Sequence, residues 1–161
     1  EWFINSRSLG RTKPNEAIAT LDVPYERGVL SVVAYKDGRE CGRSSLETTG
    51  EAAAISVKAE THTLIADRRD LCYFDITVTD SQGRRIADSK RELCAIVDGG
   101  ELIGIFSGDP QNTDQYGSCI CHAFEGRALA IVRADHAGSV KLTVGSPGLM
   151  SGSDCVAAVE R

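Results

Sequence analysis

The sequence predicts an all-β fold: two tandem β-sandwiches, the first N-terminally incomplete. Three observations predict it. Apolar residues alternate at period two through almost every segment, as in Ile55-Ser56-Val57-Lys58-Ala59, the spacing that sends successive side chains to opposite faces of a strand. Turn signals such as Asp37-Gly38, Gly99-Gly100 and Ala137-Gly138 recur at short intervals, as they do in sandwiches. Nowhere does an apolar i, i+3, i+4, i+7 spacing persist for three turns, so no long amphipathic helix is expected.

The elements follow in order. Trp2-Phe3-Ile4 ends a strand closed by Asn5–Gly10, so the first sandwich is already in progress at residue 1. Ala17–Asp22 and Val29–Tyr35 alternate and are read as strands, and Asp37-Gly38 suits a type I′ hairpin turn into a partner strand, Glu40–Thr48. Thr48–Ala53 is the expected boundary, giving domains 1–50 and 51–161.

In the second domain, strands are expected at Ala54–Glu60, Leu71–Thr79, Glu92–Asp98, Glu101–Phe106, Leu129–Arg133, Ser139–Gly145 and Asp154–Val159. Residues 107–123 are read as one long surface loop. Seven short strands at this spacing predict an immunoglobulin-like sandwich. Leu129, Ile131 and the apolar members of Ser139–Val144 are expected on its inner face. Residues 51–161 are expected to fold alone and 1–50 not to, since an incomplete sheet leaves an open edge.

Composition narrows the function. Net charge is −5, and it falls entirely within residues 51–161. An acidic body without a basic stripe disfavours nucleic acid and anionic membrane surfaces, both of which are bound through Lys and Arg. No stretch approaches the ~20 apolar residues that cross a bilayer as a helix. The six cysteines, Cys41, Cys72, Cys94, Cys119, Cys121 and Cys155, lack the spacing of a disulfide scaffold. Most sit in apolar strand-like runs, where cysteine acts as a small buried hydrophobe. They are read as reduced thiols, which leans toward the bacterial cytoplasm over periplasm or secretion.

Several phrases together resemble the C-terminal region of family 2 glycoside hydrolases of the β-galactosidase and β-glucuronidase type. Phe124–Arg133 with Gly138–Val144 resembles the family's closing "AF-G-LAIVR…G…LT" passage. Trp2–Gly10 is similar to the "FVNGKSLG" phrase of the small β domain after the barrel, with Ser6 in place of glycine. Asp22–Leu30, Val33–Gly38 and Thr49–Ile55 are similar to that domain's later phrases. Leu64–Asp67, Leu71, Asp75–Asp80, Gly83 and Gly108-Asp109-Pro110 then follow the final domain in order. The match departs at Tyr116–His122, where relatives often carry a basic, phenylalanine-containing segment. The resemblance implies a non-catalytic tail whose partner is the rest of the parent enzyme, its catalytic barrel, with subunit contacts and active-site framing as roles.

The residues agree with an inert tail. Glycosidases cleave with two carboxylates flanking the sugar, supplied in this family from a barrel of about 250 residues. Asp67, Asp70 and Asp75 are explained by a solvated turn. Cys119-Ile120-Cys121-His122 has zinc-ligand chemistry, but Cys-x-Cys is tighter than the usual spacing and no second pair exists. On a strand, Cys119 and Cys121 share a face while His122 points away. His62, His122 and His136 are isolated, and no nucleophile elbow occurs. No catalytic residue, metal or cofactor is therefore expected. The alternative is a carbohydrate-binding or adhesin-type module, for which sugar-facing aromatics are needed. Trp2, Tyr35 and Tyr73 lie in strands where burial is expected. Tyr25, after Pro24, and Tyr116, in the long loop, are the substrate-binding candidates.

Overall fold

The computed structural model describes residues 1–160, which form β-strands, turns and loops without a helix. They divide into two compact units, Glu1–Thr48 and the chain from Thr49 onward.

The first unit is one antiparallel sheet of β1 (Trp2–Ile4), β2 (Arg7–Gly10), β3 (Val29–Lys36) and β4 (Arg39–Glu47), in the order β2-β1-β3-β4. Asn5 and Ser6 join β1 to β2 with φ of 48° and 68°, and Asp37-Gly38 joins β3 to β4 with φ of 52° and 77°. Both are left-handed pairs that match strand twist in two-residue hairpins. Asn5 also clamps the segment before β3. Its Oδ1 accepts the Val29 N–H at 2.9 Å, and its Nδ2 donates to the Arg27 carbonyl at 2.9 Å. Ile4 and Val33 are the fully buried apolar residues of this unit, while β4 is exposed along its whole length.

Ala17–Asp22 does not form the expected strand. Asn15 and Ile18 instead exchange backbone hydrogen bonds of 2.8 and 2.9 Å around Glu16 and Ala17, both at positive φ. The alternation there has no neighbouring strand to pair with, and a tight turn satisfies the backbone locally. Arg7–Gly10, read as a closing turn, is β2.

The second unit is a sandwich. One sheet runs β5-β7-β11-β9, from β5 (Ala52–Ala59), β7 (Cys72–Asp80), β9 (Glu101–Phe106) and β11 (Arg127–Arg133). The other runs β10-β8-β12-β13-β6, from β6 (Thr63–Ile65), β8 (Glu92–Asp98), β10 (Ile120–His122), β12 (Gly138–Gly145) and β13 (Gly152–Val159). All pairings are antiparallel except β6 with β13. Between the sheets lie Phe74, Ile76 and Val78 of β7, Leu93 and Ala95 of β8, and Val140, Leu142 and Val144 of β12, all buried. The long loop expected at 107–123 ends in a strand, β10, which pairs with β8 through Ile120–Cys94 and Cys121–Leu93. Three residues are too few to carry a legible alternation.

β11 corrects a second expectation. Ala128, Ala130 and Val132 are buried, whereas Leu129 and Ile131 are half-exposed on the outer face. The run Ala128–Val132 is apolar on both faces, so period two fixes the alternation but not its phase. Val132→Ala is therefore expected to cost more stability than Ile131→Ala in denaturant unfolding, despite Val132 being the smaller side chain. The reverse order would place the core on the other face.

Asp80 fastens the turn after β7. Only 2% exposed, it accepts N–H bonds from Gly50, Gln82 and Arg84, each at 2.9 Å, and pairs with the Arg84 guanidinium at 2.7 Å. The Gly50 N–H, then the Arg84 side chain, hold its carboxyl far below the usual range. A depressed folded-state pKa contributes stability above the unfolded value of about 3.9 that is lost as pH falls toward the folded one. The thermal midpoint should accordingly drop more steeply below about pH 4 in the native chain than in Asp80→Asn. Parallel acid limbs would show that this carboxylate contributes nothing to the acid transition.

Candidate functional site

The sequence offered two exposed aromatics, and the structure puts them in different units. Tyr25 is 80% exposed and borders a cleft of about 350 Å³ lined by Ile4, Val23, Pro24, Leu30 and Leu46. Tyr116 is 82% exposed, and its ring leans on Phe106 of β9 with centroids 5.7 Å apart and planes tilted by 37°. Phe106 lines a groove of about 400 Å³ with Asp75, Ser107, Phe124, Arg127 and Leu129. Gly104 lies beneath the Phe106 ring, where a Cβ would collide with it. The outer face of this sheet thus joins an aromatic pair to polar groups of both signs.

Sequence reasoning missed Phe106 and Phe124 because each closes an apolar run that reads as core. The other aromatics depart in part from their expected burial. Trp2 and Tyr73 are half-buried, but Tyr35 is exposed, with the Arg11 guanidinium 4.5 Å from its ring centroid.

The polar candidates separate into structural roles. Asp67 caps its own turn by accepting the Arg69 and Asp70 N–H groups at 2.8 and 2.9 Å, and Asp70 accepts the Ile65 N–H at 2.8 Å. Asp114 takes both the His122 N–H at 2.8 Å and its Nδ1 at 2.9 Å, bonds that hold the Asp114 carboxyl low. This clasp ties the loop to β10. Asp154 is lowered by the Ala59 and Cys155 N–H groups, Asp135 by Arg68, and Glu101 by Arg133. Every shifted carboxyl among the described residues moves down, which is the signature of an accepting clamp. A general acid needs the opposite shift.

The cysteines divide against expectation. Cys72 and Cys121 are buried, while Cys41, Cys94, Cys119 and Cys155 are exposed. Burial, aided by the Asp114 charge, pushes the Cys121 thiol up to about 12, so it is a poor metal ligand. Cys119 does not share its face, because it occupies the bend before β10 rather than the strand. Among the described residues, no three His, Cys, Asp or Glu side chains are grouped to hold a metal ion.

Residues 55–153 match the family model of the glycoside hydrolase family 2 C-terminal domain 5. The chain belongs to that family. Residues 1–42 match a second model, the domain of unknown function DUF4982. The β-galactosidase BoGH2A of Bacteroides ovatus is 29% identical over 153 residues, 92% of this chain and 18% of that protein. A glycoside hydrolase family 2 member from Bacteroides cellulosilyticus superposes with a TM-score of 0.90 at 25% identity, over 96% of this chain and 22% of that one. A β-glycosidase from Bacteroides vulgatus shares the fold, with a TM-score of 0.84 at 22% identity, over 98% of this chain and 21% of that one. The chain spans less than a quarter of the length of each relative. It is a C-terminal region of the family, built as immunoglobulin-like β-sandwich.

Proposed function

We propose that this chain is a non-catalytic, structural part of a bacterial glycosidase that cleaves β-galactoside-type or β-glucuronide-type bonds. The observation that carries the reading is the match of residues 55–153 to the family's C-terminal domain, in a chain that spans less than a quarter of each relative. Asp80, Asp114 and Asp154 accept from backbone N–H groups, and Glu101 and Asp135 pair with arginines, holding roles that support the same reading. Chemistry then belongs to a barrel elsewhere in the parent enzyme, and this region contributes packing, subunit contacts or framing of the active-site mouth. Tyr73, Leu129 and Ile131, half-exposed on one sheet face, supply apolar area for such contacts.

A second reading has its own observation. The tilted Tyr116–Phe106 pair beside Asp75 and Arg127 offers an aromatic surface with adjoining hydrogen-bond groups, the combination that packs against a sugar's C–H face. In that case Tyr116 contacts glycan directly, and Tyr25 is its counterpart in the first unit.

Deleting residues 49–161 from the parent enzyme separates the two. The structural role predicts earlier thermal inactivation or a changed assembly state, with affinity for polymeric glycan unaltered in the enzyme that remains folded. Unchanged inactivation and assembly together with lost glycan affinity would move the role to the binding module.

A further inference from the structure

Four of the six cysteines are exposed, and two of these are neighbours. β8 and β10 pair antiparallel with Cys94 opposite Ile120, and the Ala95 N–H donates to the Cys119 carbonyl at 2.8 Å. Cys119 is therefore one residue diagonal from Cys94. At the bend that opens β10 its side chain is released from strict strand alternation. Both thiols are exposed on neighbouring backbone, near enough for Cys119 to influence the ionisation of Cys94. Burial, then the neighbouring Cys119, raises the Cys94 thiol above its ordinary range, so Cys94 is poorly suited to react first.

We propose that Cys94 and Cys119 form a reversible dithiol–disulfide site that locks the loop between β9 and β10 to strand β8. The oxidant is a small-molecule disulfide. The Cys119 thiolate attacks one of its sulfurs, forming a mixed disulfide and expelling one thiolate. Cys94 then loses its proton and attacks the Cys119 sulfur, expelling the second thiolate. Two protein thiols are oxidised, one small disulfide is reduced to two thiols, and two protons leave the protein sulfurs. The link spans the segment that carries Tyr116, so its redox state sets how freely that ring moves over Phe106.

Neither of the remaining exposed thiols has this geometry. Cys41 lies on β4 in the other unit, and Cys155 lies on β13, two strands from β8. Each is expected to stop at the mixed disulfide.

The experiment uses the full reduced chain, equilibrated with graded ratios of oxidised to reduced glutathione, acid-quenched and alkylated. No Lys or Arg lies between Cys94 and Cys119, so trypsin leaves both in one peptide. Cleavage at Asp98, Asp109 and Asp114 separates them. The expected result is a Cys94–Cys119 linked pair of peptides, neither thiol alkylated nor carrying glutathione, at ratios where Cys41 and Cys155 carry glutathione. In Cys94→Ser, Cys119 should instead accumulate glutathione. Absence of the linked pair at every ratio, with Cys94 and Cys119 separately glutathionylated or alkylated, would overturn the proposal. A Cys119–Cys121 link in its place would do the same.

Discussion

Phe74→Ala is expected to destabilise the second unit by about 3–5 kcal/mol, the range for removing a buried aromatic from a core. Phe74 is fully buried on β7, which lies between β5 and β11, and its ring faces the second sheet. Its loss leaves a cavity bounded by side chains that strand pairing holds in place, so little collapse can offset the lost contacts. With total stabilities of about 5–15 kcal/mol for a domain, the change is a large fraction of what holds the sandwich together. Urea unfolding followed by circular dichroism measures it. Trp2, the only tryptophan, lies in the first unit, so circular dichroism is the direct probe of this sandwich. A loss below about 1 kcal/mol would mean that β7 does not present Phe74 to a packed core.

Gly126→Ala is the second large effect. Gly126 follows Glu125 in a two-residue turn, with φ of 50° and 70°, bridged by reciprocal Phe124–Arg127 hydrogen bonds of 3.0 and 2.9 Å. A Cβ at Gly126 would collide with the Ile86 carbonyl, a backbone atom that cannot rotate away. The left-handed conformation alone costs a non-glycine residue about 1–2 kcal/mol, and displacing the 86 backbone adds to it. Gly83 separates the two contributions, because it has φ of 78° with open space where a Cβ would stand. Gly83→Ala should show the conformational cost alone, and Gly126→Ala clearly more. Equal losses would mean the close approach to Ile86 is relieved without cost.

Much of the fold was legible because strand signals are local. Ser139–Val144 alternates cleanly, and Val140, Leu142 and Val144 face inward as the pattern required. Asp37-Gly38 announced its hairpin as a residue pair that readily accepts two positive φ values. Legibility failed where the pattern carries two meanings. β11 is apolar on both faces, so the phase of Ile131 depends on which neighbour covers it. β6 and β10 are three residues each, and their pairings come from distant strands. Ala17–Asp22 alternates without a partner.

The site was harder to read for a related reason. Exposure of Tyr25 and Tyr116 follows from a proline and a polar loop close by. That Phe106 underlies Tyr116, or that Cys119 lies beside the Cys94 strand, depends on β10 folding back on β8. The cysteines misled because an apolar run in a strand need not be buried on both faces: Cys94 sits at the outward position between Leu93 and Ala95.

The central claim is that this region shapes a glycosidase without performing its chemistry. Turnover of aryl β-galactosides and β-glucuronides by the purified chain tests it most directly. The account predicts hydrolysis at the level of buffer at every pH tried. Hydrolysis that follows the chain through purification and falls in Asp75→Asn or Glu125→Gln, the two carboxylates that line the groove beside Phe106, would contradict it.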